Sequence, residues 1–413
     1  MGYKKSGKNS YKLTVSNGYN KNGKQNRFFK TIDLSHIPPK KQEAEAKRQF
    51  ILYQEEIKKG CYVNNEKITF EEFINHWIEN YANSNLQPKT LLEYGRLLKR
   101  ITPALGHLKL IQLQPIHLTS FYNNLRENGI REDNKDGGLS EKTILHHHRL
   151  ISSILTSALQ WGFILNNPAS RVKAPKVIKK EARHFNEEQT QYILKLIEAE
   201  PLKYRVMITL SIYGGMRQGE LTALTWDDIE FNNSIIKINK SLQHLPGKGT
   251  FIKSTKTETS RVISIPKSVL TLLREYKLWQ NIERTKLGDL WHDNNALFTT
   301  NDGSFIFPST ISKWFLKFIR THNKKISNDS SILEKDKLAL MLPEVNFHGL
   351  RHTSATLLIN QNVDVSTVSK RLGHARTSTT MDIYSHSLQK SDMLAADKLE
   401  HLFTKSILNK KQI

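Results

Sequence analysis

The spacing of apolar positions changes along the chain, and each change marks a new part. Near the start, Tyr11-Lys12-Leu13-Thr14-Val15 alternates as a strand does, and Arg27-Phe28-Phe29-Lys30-Thr31 reads as its return strand. Asn17-Gly18 and Asn22-Gly23 between them are hairpin-turn signals. After Pro38-Pro39 the period lengthens, with Ala46, Phe50, Tyr53 and Ile57 at helical spacing up to Gly60. The pattern predicts a small α+β unit over residues 1–62, a little sheet backed by one helix.

Residues 63–173 keep the helical period throughout, which predicts an all-α unit. Phe70, Phe73, Ile74, Trp77, Ile78 and Tyr81 form one apolar stripe, and NLQPKT restarts the chain. Helices are predicted over Thr90–Ile101 and Ile116–Leu125. After the loop REDNKDGG, Ser140-x-x-Thr143 opens a last one running to Trp161-Gly162. The prolines and lysines of NNPASRVKAPKVIKKEARHF mark a basic linker, assigned to residues 174–185. Residues 186–413 read as a mainly α unit with a small β-sheet and hairpin. Tyr204–Ile212 is almost continuously apolar until YGGMRQGEL interrupts it. Strands at Ser234–Ile238 and Arg261–Pro266 enclose the polar hairpin GKGTFIKSTKTETS, with Lys248, Lys253 and Lys256. Helices follow around Val269–Leu287 and Ser309–Ile319, then a polar insertion at 322–343. A C-terminal stripe of Leu399, Leu402, Phe403 and Ile407 suits packing on its own domain and docking on a neighbouring subunit equally.

Charge narrows the partner. Lys+Arg 62 against Asp+Glu 39 leaves +23, which calls for a polyanion, and nucleic acid is the natural one. No run approaches the roughly 18 apolar residues of a membrane span, and MGYKKSGKNSYKL lacks a secretory signal's apolar run. Met1-Gly2 with Ser6 is a thin match to a myristoylation site. Cys61 stands alone, so no disulfide framework or thiolate metal site is expected, and the setting is a reducing cytoplasm. Basic residues off the apolar stripes are candidates for backbone phosphate contacts. They are Lys12 and Lys30 on the first sheet, beside Lys4, Lys5, Lys8, Lys21 and Lys24. On the helices they are Arg96, Lys99, Arg100, Lys142, His146, His147, His148 and Arg149, and in the linker region Lys173 and Lys176. Adjacent histidines do not converge on one helix face, so His146-His147-His148 is not read as a metal site. A basic linker between basic units suggests a clamp around a duplex.

The densest chemistry lies between Phe347 and Tyr384. His348 and Arg351 share a helix face at the start of HGLRHTSATLLI, where free N–H groups favour an anion, while Leu350, Leu357 and Leu358 can face a core. The turn LGHARTSTT carries His374, and MDIY ends on Tyr384. These cations, imidazoles and a phenol are equipment for attacking a phosphodiester. Arg217 heads the helix carrying Glu220, whose carboxylate at i+3 can hold the guanidinium in one rotamer. A metalloprotease reading of His348 and His352 fails, because Gly349 stands where the motif needs glutamate.

Arg217 in GGMRQGEL, Lys256 in STKTETSR, His348 and Arg351 in HGLRH, His374 in LGHA and Tyr384 in MDIYSH arrive in one order. That order and those contexts resemble the tyrosine recombinase family, also called phage integrases. The resemblance implies Tyr384 as nucleophile forming a 3′-phosphotyrosyl link, without metal or ATP. Arg217 and Arg351 would clamp the phosphate, with Glu220 behind Arg217. His348 would be the base, and His374 a donor to the phosphate. Lys253 and Lys256 both compete for the acid's role, and the resemblance favours Lys256 in its Lys-Thr pair. It further implies that 1–62 binds arm-type sites, 63–173 binds core sites, and 186–413 is catalytic. Expected partners are double-stranded core and arm attachment sites, a homotetramer on DNA, an excisionase-like directionality factor and a host DNA-bending protein, in the bacterial nucleoid. The implied activity is integration and excision of a mobile element. A type IB topoisomerase-like relaxing enzyme and a catalytically silent DNA-binding regulator are the alternatives.

Overall fold

The structure is a computed structural model that describes residues 2–19, 25–58, 68–133, 135–178, 182–254, 260–374, 376–378, 380–381 and 400. The chain divides into two compact units, Met1–Lys179 and Lys180–Ile413. Among the described residues, no helix is long and apolar enough to cross a membrane.

In the first unit, β1 (Gly2–Lys5), β2 (Ser10–Tyr19) and β3 (Gln25–Asp33) form an antiparallel sheet in that order. The first strand was unforeseen, because its lysines masked a register that pairs Tyr3 with Leu13 and Lys4 with Lys12. Asn17-Gly18 is not a turn either. It lies inside β2, where the register with β3 shifts between Ser16 and Tyr19 as at a bulge. Asn22-Gly23 lies outside the described residues.

Helix α1 (Pro39–Lys58) packs Tyr53 and Ile57 on Leu13 and Val15. Facing pairs share one side of a sheet, so Lys30, opposite Leu13, lies on the helix side with its Nζ 5.5 Å from the centre of the Tyr53 ring. Lys12 lies on the outer side, 4.6 Å over Phe29. The two lysines expected on one basic surface are therefore on opposite faces.

The remaining helices of this unit are α2 (Phe70–Trp77), α3 (Asn83–Asn85), α4 (Pro88–Leu105), α5 (Pro115–Asn124) and α6 (Glu141–Gln160). A π-helical turn, Ile78–Ala82, joins α2 to α3. A capping box of Thr69 and Glu72 opens α2, Pro88 and Pro115 stand in the first turns of α4 and α5, and Ser140 caps α6. Phe70, Phe73, Ile74 and Trp77 meet Ile144, Ile151, Ile154 and Leu155 in the core. His147 belongs to that stripe, against the expectation that it faces away. It is 1% exposed, its Nδ1 lies 2.9 Å from the Thr143 carbonyl, and its ring meets Phe121 edge-on. Position 147 falls between 144 and 151 at helical spacing, a periodicity the histidine run concealed.

The second unit opens with α7 (Glu187–Leu196) and α8 (Leu202–Gly214), the latter buried from Val206 to Ile212 as its nearly continuous apolar run requires. Short α9 (Gln218–Thr222) follows. Strands β4 (Ile229–Glu230), β5 (Ile235–Ile238) and β8 (Arg261–Ser264) form one antiparallel sheet in that order. The hairpin between β5 and β8 is a separate pair, β6 (Lys240–Leu245) and β7 (Gly249–Ser254), longer than its polar sequence predicted. Helices α10 (Lys267–Leu287), α11 (Ser309–Asn328), α12 (Glu334–Leu340), α13 (Gly349–Asn360) and α14 (Val365–Leu372) complete the unit. The expected polar insertion is ordered by α12 and by Asn323, whose side chain bonds the carbonyl and N–H of Leu342 at 2.7 and 2.9 Å. The expected fold class is borne out: a small α+β part, an all-α part, and a mainly α part with small sheets.

The buried indole of Trp77 donates to Ser157 Oγ at 2.9 Å, linking α2 to α6. Ser157→Ala leaves that N–H without its partner, and we expect a loss of about 1–3 kcal/mol. Urea unfolding followed by tryptophan fluorescence checks this; unchanged stability would mean the bond contributes nothing net.

Candidate active site

Four of the six expected catalytic residues converge, and helix ends bring them together. Helix α8 stops because Gly215 takes the left-handed conformation at φ +58°. Any side chain there would be strained, and a Cβ would sit 2.6 Å from Leu372 Cδ2. Arg217 follows as the N-cap of α9, with its N–H donating to Glu220 Oε2 at 2.9 Å and its Nη1 to Oε1 at 2.7 Å. Helix α14 stops the same way at Gly373, φ +68°, leaving its carbonyl to accept from Arg217 Nη2 at 3.0 Å. The carbonyl of Gly215 accepts from Arg351 Nη1 at 2.8 Å. Each arginine is thus latched to the capping glycine of another segment.

His348 is the N-cap of α13, one turn before Arg351. Its ring lies 5.0 Å from that of His352, nearly perpendicular. The start of α13 is pinned by the Asn346 side chain on Gly349 N–H at 3.0 Å, and by Thr353 Oγ1, which accepts from Phe185 N–H at 3.0 Å. His374 Nδ1 lies 2.8 Å from Thr380 Oγ1. Helix α13 is not the basic amphipathic helix its composition allows, since Arg351 is only 3% exposed. Arg217 keeps 41% of its side chain open. Lys256 and Tyr384 lie outside the described residues, as does the stripe Leu399, Leu402, Phe403 and Ile407. Lys253 pairs with Ser241 across the hairpin and so shares its face, the face where Ser241 Oγ would meet a Cβ on Gly219 at 2.5 Å.

The DNA-contact candidates sit differently. Arg96, Lys99, Lys142, Arg149, Lys173 and Lys176 are exposed. Arg100 is half-buried and bonded to Glu132 at 3.1 Å, and His148 Nδ1 lies 3.1 Å from the Tyr122 hydroxyl. Arg149 and His148 border a cleft of about 510 Å³ with Tyr81, Ser152, Ser153 and Thr156.

Residues 183–391, just over half of the chain, match the phage integrase family, and residues 69–126 match the phage integrase N-terminal SAM-like domain. The chain belongs to the phage integrase family. It is 28% identical to a tyrosine recombinase XerC-like protein of Caldanaerobacter subterraneus, over 97% of this chain and 98% of the relative. It is 30% identical to the ICEBs1 integrase of Bacillus subtilis, over 64% of this chain and 67% of the relative. Among solved structures, the Tn1549 transposon integrase in complex with a circular intermediate DNA has the same fold, with TM-score 0.64, 20% identity, and coverage of 81% of this chain and 100% of that one. The protein is a tyrosine site-specific recombinase, an integrase that integrates and excises a mobile element.

Burial and the positive charge of the recombinase's site together set its protonation. Burial, then the charges of Arg351 and Arg217, push the His374 imidazole down to about 4. Burial and the same two arginines lower His348, and burial with His348 and Arg351 brings His352 to about 4. All three imidazoles are neutral at physiological pH. Burial works to raise Glu220, yet the hydrogen bonds and charges of Arg261 and Arg217 hold it at about 2. Glu220 is 3% exposed, so its pairing with Arg217 is no surface ion pair.

Three further side chains brace the site. Arg261, in the sequence only the first residue of a strand, donates to both oxygens of Glu220 at 3.1 and 2.7 Å. Arg371 donates to the carbonyls of Tyr213 and Ser264 at 2.7 and 2.9 Å. Thr380 holds His374. No local signal marks Arg261, because an arginine at the head of a short strand is commonly solvated.

Two outcomes follow from this geometry. In the DNA-free protein, His374 should titrate near 4 rather than 6.5. Because the folded value is the lower one, its stabilising contribution is complete above 6.5 and lost as pH falls toward 4. Imidazole NMR titration checks this, and a midpoint near 6.5 would refute it. Gly373→Ala should cost about 1–2 kcal/mol from left-handed strain alone, and a Cβ there would meet Arg261 Nη1 at 2.8 Å. A thermal melt unchanged from wild type would contradict the role assigned to this turn.

Proposed function

We propose that Tyr384 is the nucleophile with which this recombinase cuts each strand. Its phenolic oxygen attacks the scissile phosphorus, the bond from phosphorus to the 5′-oxygen breaks, and a 3′-phosphotyrosyl link remains. His348 takes the phenol proton, and Lys256 protonates the departing 5′-oxygen. Arg217 and Arg351 hold the non-bridging oxygens as charge builds on them, His374 donates a further hydrogen bond, and Glu220 sets the orientation of Arg217. A 5′-hydroxyl from the partner strand reverses these steps, so the bond energy is conserved through exchange.

What supports this reading is the convergence of His348, Arg351, His374 and Arg217 around the capping glycines Gly215 and Gly373. Neutral imidazoles fit the assigned roles, since a base must be unprotonated, and guanidinium suits a bidentate phosphate contact. In the same reading, residues 1–62 bind arm-type sites, 63–173 bind core sites, and the linker 174–185 joins them to the catalytic residues 186–413. Lys12, Arg96, Lys99, Lys142, Arg149, Lys173 and Lys176 would contact backbone phosphates. Lys30, Arg100 and His148 are weaker candidates because of the partners described above. Four copies act together on paired attachment sites, an excisionase-like protein sets direction, and a host protein bends the DNA.

The test is covalent trapping on a nicked duplex drawn from the ends of the element. Wild type should give an adduct stable to denaturation, and Tyr384→Phe none. Arg351→Ala should slow adduct formation by about 10²–10³. Sequence-specific binding by wild type without any adduct would overturn the assignment.

A further inference from the structure

The guanidinium of Arg261 is 7% exposed, and each of its nitrogens has a partner. Nη1 and Nη2 fork onto the two oxygens of Glu220 at 3.1 and 2.7 Å, and Nε donates to the Arg371 carbonyl at 2.7 Å. Each Glu220 oxygen also receives Arg217, Oε1 from Nη1 and Oε2 from the backbone N–H. The carboxylate is therefore shared between two arginines. Glu220 with Arg217 alone would be neutral, and the guanidinium's attraction for a phosphate would be spent on its neighbour. Adding Arg261 leaves the triad with one net positive charge, and Arg217 is the member that is open to solvent. A second link runs the other way. Arg371 donates to the carbonyl of Ser264, at the far end of the strand Arg261 begins. Strand β8 and the turn that carries His374 are thus stitched at both ends.

We propose that Arg261 is a positioning residue for strand cleavage: it neutralises Glu220 so that Arg217 stays a phosphate-seeking cation, and it holds the His374 turn in register with it. This rests on the reading of Arg217 as a phosphate clamp. Arg261 touches no DNA in this role; it acts through Glu220 and through the backbone of Arg371. Burying Glu220 and Arg261 is costly in desolvation, so their service is in orientation.

The experiment measures single-turnover cleavage of a nicked duplex at saturating protein. One substrate carries an ordinary scissile phosphodiester, and the other an uncharged methylphosphonate, which makes less demand on a cationic clamp. Arg261→Gln should slow the phosphodiester reaction roughly 10- to 100-fold, with a penalty several-fold smaller on the uncharged linkage. Arg217→Ala, run alongside, should show the same dependence. Arg261→Lys should fall between, keeping the charge and losing the fork. Equal losses for Arg261→Gln on both linkages, while Arg217→Ala still discriminates, would reduce Arg261 to a structural residue and overturn the proposal alone. Failure of Arg217→Ala to discriminate would overturn the clamp reading, and this one with it. If Arg261→Gln does not melt cooperatively, Arg261→Lys decides. A smaller loss with the same linkage dependence supports positioning, and wild-type rates or equal losses on both linkages overturn it.

Discussion

The buried carboxylate of Glu220 is the point on which the site's geometry depends. It sits between two guanidinium groups, one exposed and one enclosed, and its two oxygens accept from both. A carboxylate removed from water is costly unless its lone pairs are filled, and here they are filled by groups from separate segments, the cap of α9 and the start of β8. Satisfying one buried charge therefore fixes the relative position of two elements that are distant in sequence. Through the Arg371 carbonyl the same arginine reaches the end of α14.

Helix ends supply the remaining joints. A helix leaves its last carbonyls without partners, and at Gly215 and Gly373 the left-handed turn redirects those carbonyls sideways. Arg351 and Arg217 take them up from outside. Glycine is needed for two reasons at each place: φ is positive, and the space for a Cβ is already filled, by Leu372 at one and by Arg261 at the other. The arginines thereby lose rotamer freedom before any ligand arrives, which is the pre-organisation that electrostatic stabilisation of a transition state requires.

The concentration of arginines has a second effect. Added to burial, which is the larger cause, it lowers the affinity of the neighbouring imidazoles for protons, so His348, His352 and His374 stay neutral. A polyanion would enter a site whose cations are permanent guanidinium groups and whose histidines are neutral.

Much of this was legible in the linear chain because local rules govern it. Strand and helix periods, the cap at Ser140, and the glycines beside Arg217 depend on near neighbours. The pairing of Glu220 with Arg217 spans only one helical turn. Motifs with fixed internal spacing, such as HGLRH, also survive translation into sequence. Three-dimensional packing decided the rest. That Lys30 turns toward Tyr53 follows from a register set across two strands, and that His147 is core follows from which face of α6 the other helices cover. Arg261 is the plainest case. Its partners stand 41 and 110 positions away along the chain. Nothing in its own neighbourhood distinguishes it from a solvated strand arginine, because the interaction that gives it meaning exists only once Glu220 has been buried beside it.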